Sequence, residues 1–385
     1  MQNPPLIAHI IYRLGVGGLE NGLVNLINNI PYNRYRHVVI CLEGYTDFRN
    51  RIARDDVEIF ALHKCEGYDF RMYFKLFKLL RQLKPDIVHT RNLAALEAQL
   101  VAAAAGIKIR VHGEHGRDIS DLAGENFKYN LLRRVIYPFV SQFVTVSKDL
   151  ERWLINLLHI SPNRVVQIYN GVDCNRFSVR ACQSIDHDMN GFFTENAFVI
   201  GSVGRIEAVK DYPTLIRAFI RLLEKNSEAR KNLRLIIVGD GSAREECIKM
   251  VQESGYKNLI WLPGERSDIP RLMQKMNLFV LPSLGEGISN VILEAMSSGL
   301  PVVATRVGGN VELVEEARSG ILIEPKDEVA LINAIQEYYT QPYLLGKHGG
   351  FARNKIKTYF SIAAMVNSYM NVYDSLLYQS RIEVK

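Results

Sequence analysis

The chain has 385 residues, 48% of them hydrophobic and 23% charged, a size beyond one ordinary core and a composition that excludes disordered, fibrous and low-complexity classes. Its net charge of +6 is uneven: residues 1–180 hold 24 Lys and Arg against 17 Asp and Glu, whereas residues 181–385 hold 23 against 24. A basic first half suits an anionic partner or membrane surface as well as an ordinary solvated face, and no basic-aromatic motif accompanies it to indicate nucleic acid.

Five cysteines, at 41, 65, 174, 182 and 247, form no C-x-x-C pair, the pattern of reduced thiols in a cytoplasmic setting. The opening MQNPPLIAHIIYRLG lacks a basic n-region and a small-residue cleavage site, so it is expected to be a first strand rather than a signal peptide. The longest apolar stretch, 92–111, is interrupted by Glu97, Lys108 and Arg110, and no run reaches the roughly 18 uncharged residues of a spanning helix.

β-Branched runs alternate with amphipathic stretches throughout, which predicts parallel sheets covered by helices. In the first half strands are expected at 7–14, 37–42, 86–90, 109–115, 142–147 and 165–169. Helices are expected at 19–29, 70–84, 93–105, 127–138 and 148–158. Periodicity fades after Asp173, and 181–197 reads as a linker between a first domain, 1–180, and a second, 198–360. The second half restarts with FVIGSVG, a helix at 213–225, LRLIIVG, a helix at 242–253, NLIWLPG, a helix at 268–275, LFVLPS, a helix at 290–298, PVVAT and GILIEP. The tail 361–385 opens with apolar residues at helical spacing and is expected to pack as one more helix, back on the first domain.

Ligands in such sheets bind at the carboxyl ends of strands, and the informative residues lie there. In LFVLPSLGEGISNVILEAMSSGLPVVAT a strand ends, a glycine-flanked loop follows and a helix begins near Asn290. Backbone amides of Gly287, Ile288, Ser289 and Asn290 at that helix start can bind a diphosphate. Glu286 in the loop can accept from a sugar hydroxyl, and Glu294, in an otherwise apolar helix, from both ribose hydroxyls. A lone E-x7-E is usually a surface Glu plus a helical Glu; its place after LPS favours function here. VGRIEAVKD adds Arg205 and Lys210, two cations able to stabilise a departing diphosphate more than the bound donor.

G-R-x4-K followed about eighty residues on by E-x7-E resembles retaining glycosyltransferase family 4, the group 1 glycosyl transferases. VGDG at 238–241, GLPVVAT at 299–305, Gly308-Gly309 and SGILIEP at 319–325 stand where that family has similar segments, so the likeness covers the chain. GEHGRD, IYNGVD and LGEGISNVILE are most similar to sugar transferases of PEP-CTERM-type exopolysaccharide clusters. One departure is Glu286-Gly287-Ile288-Ser289 where the common form is E-G-F/Y-G.

The resemblance implies a GT-B fold, two Rossmann-like doubly wound α/β domains facing across a cleft, with the donor mainly on the second and the acceptor on the first. It implies a cytoplasmic hexosyltransferase acting with retention, by front-face displacement, on a nucleotide-diphosphate-sugar, UDP-sugar favoured over GDP-sugar. The acceptor would be a glycan or lipid-linked glycan, and neither cofactor nor metal would be needed. The one D-x-D, Asp186-His187-Asp188, reads as a polar spacer.

In the first half RLGVGGLENG follows the first strand; its glycines let backbone approach a ligand, but Glu20 stands where a dinucleotide fingerprint needs its third glycine. Glu43 is the remaining support for a nicotinamide enzyme. By resemblance Gly15, Gly17 and Gly18 border donor phosphates and acceptor. IRVHGEHGRD places His112, Glu114, His115, Arg117 and Asp118 at a strand end; H-x-E-H fits zinc poorly, a satisfied strand-end histidine remains open, and by resemblance His115 borders the transferred sugar. The helix at 71–84 carries five cations and is the candidate for peripheral contact with anionic lipid at the inner membrane face. The competing functions are a nucleotide-sugar epimerase on the same scaffold and a non-catalytic sugar-nucleotide binder.

Overall fold

The computed structural model describes residues 3–67, 69–117, 121, 123–179 and 192–382. The readings of Asp118, Cys182, Asp186-His187-Asp188 and most of the 181–197 linker fall outside them. Two compact units divide the chain: Met1–Gly171 with Ile362–Lys385, and Val172–Ser361.

The first unit is a seven-stranded parallel sheet. Its strands are β1 (Leu6–Leu14), β2 (Arg36–Tyr45), β3 (Glu58–Ala61), β4 (Ile87–Arg91), β5 (Ile109–Glu114), β6 (Gln142–Thr145) and β7 (Val165–Gln167), in the order β3-β2-β1-β4-β5-β6-β7. The order reverses between β1 and β4, which makes their carboxyl ends a topological switch point. The second unit is a six-stranded parallel sheet of β8 (Phe198–Val203), β9 (Leu233–Val238), β10 (Ile260–Gly264), β11 (Leu278–Leu281), β12 (Val302–Thr305) and β13 (Gly320–Ile323). Its order is β10-β9-β8-β11-β12-β13, with the switch point between β8 and β11. Every residue of β8, β9, β11 and β12 is buried, as expected of strands covered on both faces.

Helix ends follow local chemistry. Asp69 caps Phe70–Leu83 by accepting from the Met72 amide at 3.0 Å, and Lys84 closes it in the left-handed region at φ 46°. Gly299, at φ 79°, follows Asn290–Ser297 and turns the chain into β12.

Two differences from the sequence reading concern boundaries. The half-buried edge strand β3 was not expected; four residues after the Asp55-Asp56 turn carry too little pattern to register. The first unit ends at Gly171 rather than 180, because residues 172–179 are bonded to the second: Val172 N donates to Phe360 O at 2.9 Å, Ser297 Oγ to Phe177 O at 2.8 Å and Gln274 Nε2 to Ser178 O at 2.9 Å. The described end of the linker packs on the second unit too, with the Phe192 ring 5.7 Å from Trp261. The last helix, Ile362–Ile382, lays Met365, Val366, Tyr369, Val372 and Tyr373 against Ile7, Leu26, Ile87 and Val111 of the first unit.

Candidate functional site

The residues singled out in the sequence fall into two groups, one at the carboxyl ends of the strands of each sheet. In the second unit the loop after β8 carries Arg205 and Lys210, and the loop after β11 carries Glu286 to Ser289. They meet: Lys210 Nζ donates to Glu286 Oε1 at 2.6 Å, both side chains largely buried, and Leu284 N donates to Val209 O at 2.7 Å. Ser283 Oγ, buried, donates to the same Glu286 oxygen at 2.6 Å. The two charges read as acting apart, one on the sugar and one on the diphosphate, thus form one pair. Arg205 is exposed, and among the described residues its guanidinium has no ion-pair partner.

The loop backbones are held by glycines that leave no room for a side chain. At Gly308, φ 45°, a Cβ would lie 1.8 Å from Glu286 O, and at Gly309 it would lie 2.3 Å from Gly287 O, to which the Gly309 amide donates at 3.0 Å. Under the first loop, a Cβ at Gly239, φ 147°, would lie 1.9 Å from Gly204 O. These contacts give the GG and VGDG segments a physical function: each lets one loop lie on another.

Ser289 stands before the helix Asn290–Ser297, 2% exposed, with its hydroxyl unpartnered among the described residues. Beside it, the amides of Gly287 and Ile288 donate no backbone hydrogen bond among the described residues. Such a helix start, with an unspent hydroxyl and amides, is an anion cradle. Glu294 lies one turn further on the same helix, half-buried. Tyr212 is wholly buried nearby, where a Cβ at Gly204 would lie 2.8 Å from its hydroxyl, and burial pushes its phenol pKa up, with Glu286 adding to the rise.

In the first unit, Gly15, Gly17 and Gly18 follow β1 and open the helix Gly18–Asn29; Glu20, in its first turn, folds back so that a Cβ at Gly17 would lie 2.1 Å from Oε2. His115 follows β5. Asn92, at φ 58°, clamps it: its amide donates to Gly113 O at 2.8 Å and its Oδ1 accepts from the His115 amide at 2.8 Å. Both His115 ring nitrogens are shielded and unpartnered among the described residues. Burial lowers its pKa to about 3, with Arg91 and His112 adding to the drop and Glu114 opposing it, so the ring is neutral.

The rest of the strand-end cluster is structural. Burial would raise the Glu114 carboxyl, but Arg133, whose Nε donates to it at 2.7 Å, and His112 outweigh that and hold it at about 2. His112 Nδ1 bonds Thr90 Oγ1 at 2.7 Å, and Arg117 pairs with Asp149 at 2.9 Å. Ser283, Asn92 and the glycine contacts were not singled out as site residues. Their roles come from long-range contacts, although Gly308-Gly309 was visible as a motif.

Two parallel-sheet Rossmann-like domains, with the polar residues gathered at the carboxyl ends of their strands, define a GT-B protein. Residues 197–341 match the family model Glycosyl transferases group 1, and residues 16–176 match Glycosyltransferase Family 4. The chain is a glycosyltransferase built of a family 4 domain followed by a group 1 domain. It is 28% identical to the Escherichia coli UDP-Gal:alpha-D-GlcNAc-diphosphoundecaprenol alpha-1,3-galactosyltransferase, over 95% of this chain and 96% of that one. It is 25% identical to the Campylobacter jejuni N-acetylgalactosamine-N,N'-diacetylbacillosaminyl-diphospho-undecaprenol 4-alpha-N-acetylgalactosaminyltransferase, over 91% of this chain and 94% of the other. The crystal structure of Anabaena HepE in complex with UDP-glucose superposes with a TM-score of 0.79 at 22% identity, over 96% of this chain and 100% of that one.

Proposed function

We propose that this protein transfers a hexose from a UDP-sugar to a diphosphoundecaprenol-linked glycan, with retention of anomeric configuration, in the assembly of an exopolysaccharide. The observation that carries the reading is the junction of the β8 and β11 loops, where Lys210, Glu286 and Ser289 surround the start of the helix Asn290–Ser297. The helix start and Lys210 would hold the diphosphate, with exposed Arg205 completing the cation set as it leaves. Glu294 would accept from the ribose hydroxyls, Glu286 from a sugar hydroxyl, and His115 would contact the acceptor. The sugar C1–phosphate oxygen bond breaks as the acceptor oxygen bonds C1 on the same face, and the acceptor proton passes to the departing phosphate. Neither a metal nor another cofactor is required by this scheme.

The acceptor reading draws on the two relatives that act on diphosphoundecaprenol-linked substrates. Among the described residues no helix is long and apolar enough to cross a membrane, so a lipid-linked acceptor would be met from the surface. The helix Phe70–Leu83 exposes Phe70 and Phe74 among Arg71, Lys75, Lys78 and Arg81, and contains no acidic residue. Phe127, Leu131 and Val135 form an exposed stripe along Phe127–Ile136 on the same face of the sheet. We assign this face to anionic lipid.

The test is a thermal-shift screen of UDP- and GDP-sugars, followed by transfer to GlcNAc-diphosphoundecaprenol with the product anomer read by NMR. Stabilisation by UDP-sugars and an α-linked product are expected from an α-linked donor. A β-linked product would end the retention reading, and preference for GDP-sugars would end the donor reading. Glu294→Ala should weaken UDP binding by about 1–3 kcal/mol, and unchanged affinity would remove it from the ribose role.

A further inference from the structure

Among the described residues, Arg91, at the carboxyl end of β4, is the largest fully buried side chain, at 2% exposure. The buried carboxylate of its unit, Glu114, is committed to Arg133, and among the described residues no ion pair joins Arg91 to any acid. Its guanidinium donates instead to neutral rings, from Nη1 to His9 Nδ1 at 3.2 Å and from Nη2 to His89 Nδ1 at 3.4 Å. A guanidinium can only donate, so these bonds dictate where the imidazole protons sit.

His9 accepts at Nδ1 and therefore carries its proton on Nε2, which donates to His37 Nδ1 at 3.0 Å. His89 Nδ1 accepts from Arg91 and also, at 2.8 Å, from the hydroxyl of Tyr373 on the last helix. The His89 proton is thereby fixed on Nε2, which is buried and unpartnered among the described residues. That atom faces His115 over Gly113: a Cβ at Gly113 would lie 3.3 Å from His89 Nε2 and 2.8 Å from His115 Nε2. Absence of a side chain at Gly113 keeps the path between the two rings open. All four rings are uncharged, since burial, followed by Arg91 for His9, His89 and His115 and by Arg54 for His37, lowers their pKa values.

We propose that Arg91 is a positioning residue for His115: with Tyr373 it locks His89 as the Nε2–H tautomer, which donates across Gly113 to His115 Nε2 and leaves His115 as the Nδ1–H tautomer, a directed donor to a substrate hydroxyl. The link from His89 to His115 runs through one bridging water, since neither Nε2 has a direct partner among the described residues. The inference rests on the reading of His115 as a substrate-contacting residue. It adds three residues, Arg91, His89 and Tyr373, and assigns the last helix a part in setting the tautomer.

The test uses the full chain with 15N-labelled histidine. Nitrogen shifts report the tautomer of each ring, and His89→Asn and His115→Ala spectra assign the two signals. The wild type should show His89 as Nε2–H and His115 as Nδ1–H. Arg91→Met and the isosteric Tyr373→Phe should each weaken that preference at both rings, and the double variant should abolish it. With UDP-galactose and GlcNAc-diphosphoundecaprenol as probes, Arg91→Met should lower kcat about tenfold or more and leave KM within about twofold, a split that loosened packing alone would not produce. Unchanged tautomers in the double variant overturn the proposal. If His115→Ala abolishes turnover while Arg91→Met keeps it, the positioning role alone fails. If His115→Ala keeps wild-type turnover, the assignment of His115 fails first and takes the positioning role with it, whatever the spectra show.

Discussion

Lys210 and Glu286 were legible one at a time, as a cation and an acid at strand ends, but their pairing at 2.6 Å was not, because 76 positions separate them in the chain. The pair has a consequence for catalysis. With Glu286 also accepting from Ser283, Lys210 is held in place before a donor binds, so its charge requires little reorganisation as the diphosphate departs. Lys210→Ala should therefore reduce kcat by about 100-fold or more and change UDP affinity far less. Steady-state kinetics beside calorimetric titration with UDP separates the two effects. Wild-type kcat with only a raised KM would show that Lys210 binds donor and does not assist its departure. Ser283 and Asn92 illustrate what sequence reading loses at this scale. Each is an ordinary loop residue until a neighbouring loop, folded against it, supplies Glu286 or the His115 amide.

At the scale of the element, β8, β9, β11 and β12 were legible because strands buried on both faces need largely apolar runs, whereas β3 has four residues and an edge position. The loops between strands depend on contacts no periodicity encodes. Gly308→Ala would drive a methyl group to within 1.8 Å of Glu286 O at a φ of 45°, so the β11 loop must move. We expect a loss of about 1–3 kcal/mol in stability and weaker UDP binding. Denaturant unfolding and titration with UDP check both, and a variant unchanged in the two would show that the loop has slack. The first sheet differs in placing His9, His37 and His89 inside β1, β2 and β4, where sequence reading took the surrounding segments simply as apolar strands. The folded pKa of His37, about 3, lies below the ordinary value of about 6.5, so the unfolded chain binds the extra proton and stability falls as pH drops below about 6.5. The loss from His37 alone is about 2 kcal/mol between pH 7 and pH 5, and His9 and His89 act in the same direction. A urea midpoint constant from pH 7 to pH 5 would contradict neutral burial of these rings.

For the whole molecule, part of the excess of positive charge in residues 1–180 lies on the helix Phe70–Leu83, beside two exposed phenylalanines. On Phe70–Leu83, Met72, Leu76 and Leu80 pack inward, leaving Phe70 81% and Phe74 59% exposed, with Lys78 Nζ 4.5 Å from the Phe74 ring centroid. A helix serving only to cover its sheet gains nothing from two outward phenylalanines, while an anionic bilayer rewards both features: each cation near its surface contributes on the order of 1 kcal/mol, and a buried Phe about 2 kcal/mol. We expect reversible binding to phosphatidylglycerol vesicles that weakens as salt is raised, with little binding to neutral phosphatidylcholine vesicles. Changing Arg71, Lys78 and Lys84 to Gln removes about 3 kcal/mol, roughly a hundredfold in partitioning, and its effect should shrink at high salt. Changing Phe70 and Phe74 to Ser should weaken binding at every salt concentration, since burial of apolar surface is not screened. Co-sedimentation of the three proteins across a salt series distinguishes these contributions. Equal recovery of the wild type with both vesicle types would dismiss the membrane face, and full binding by both variants would move it to another part of the first unit.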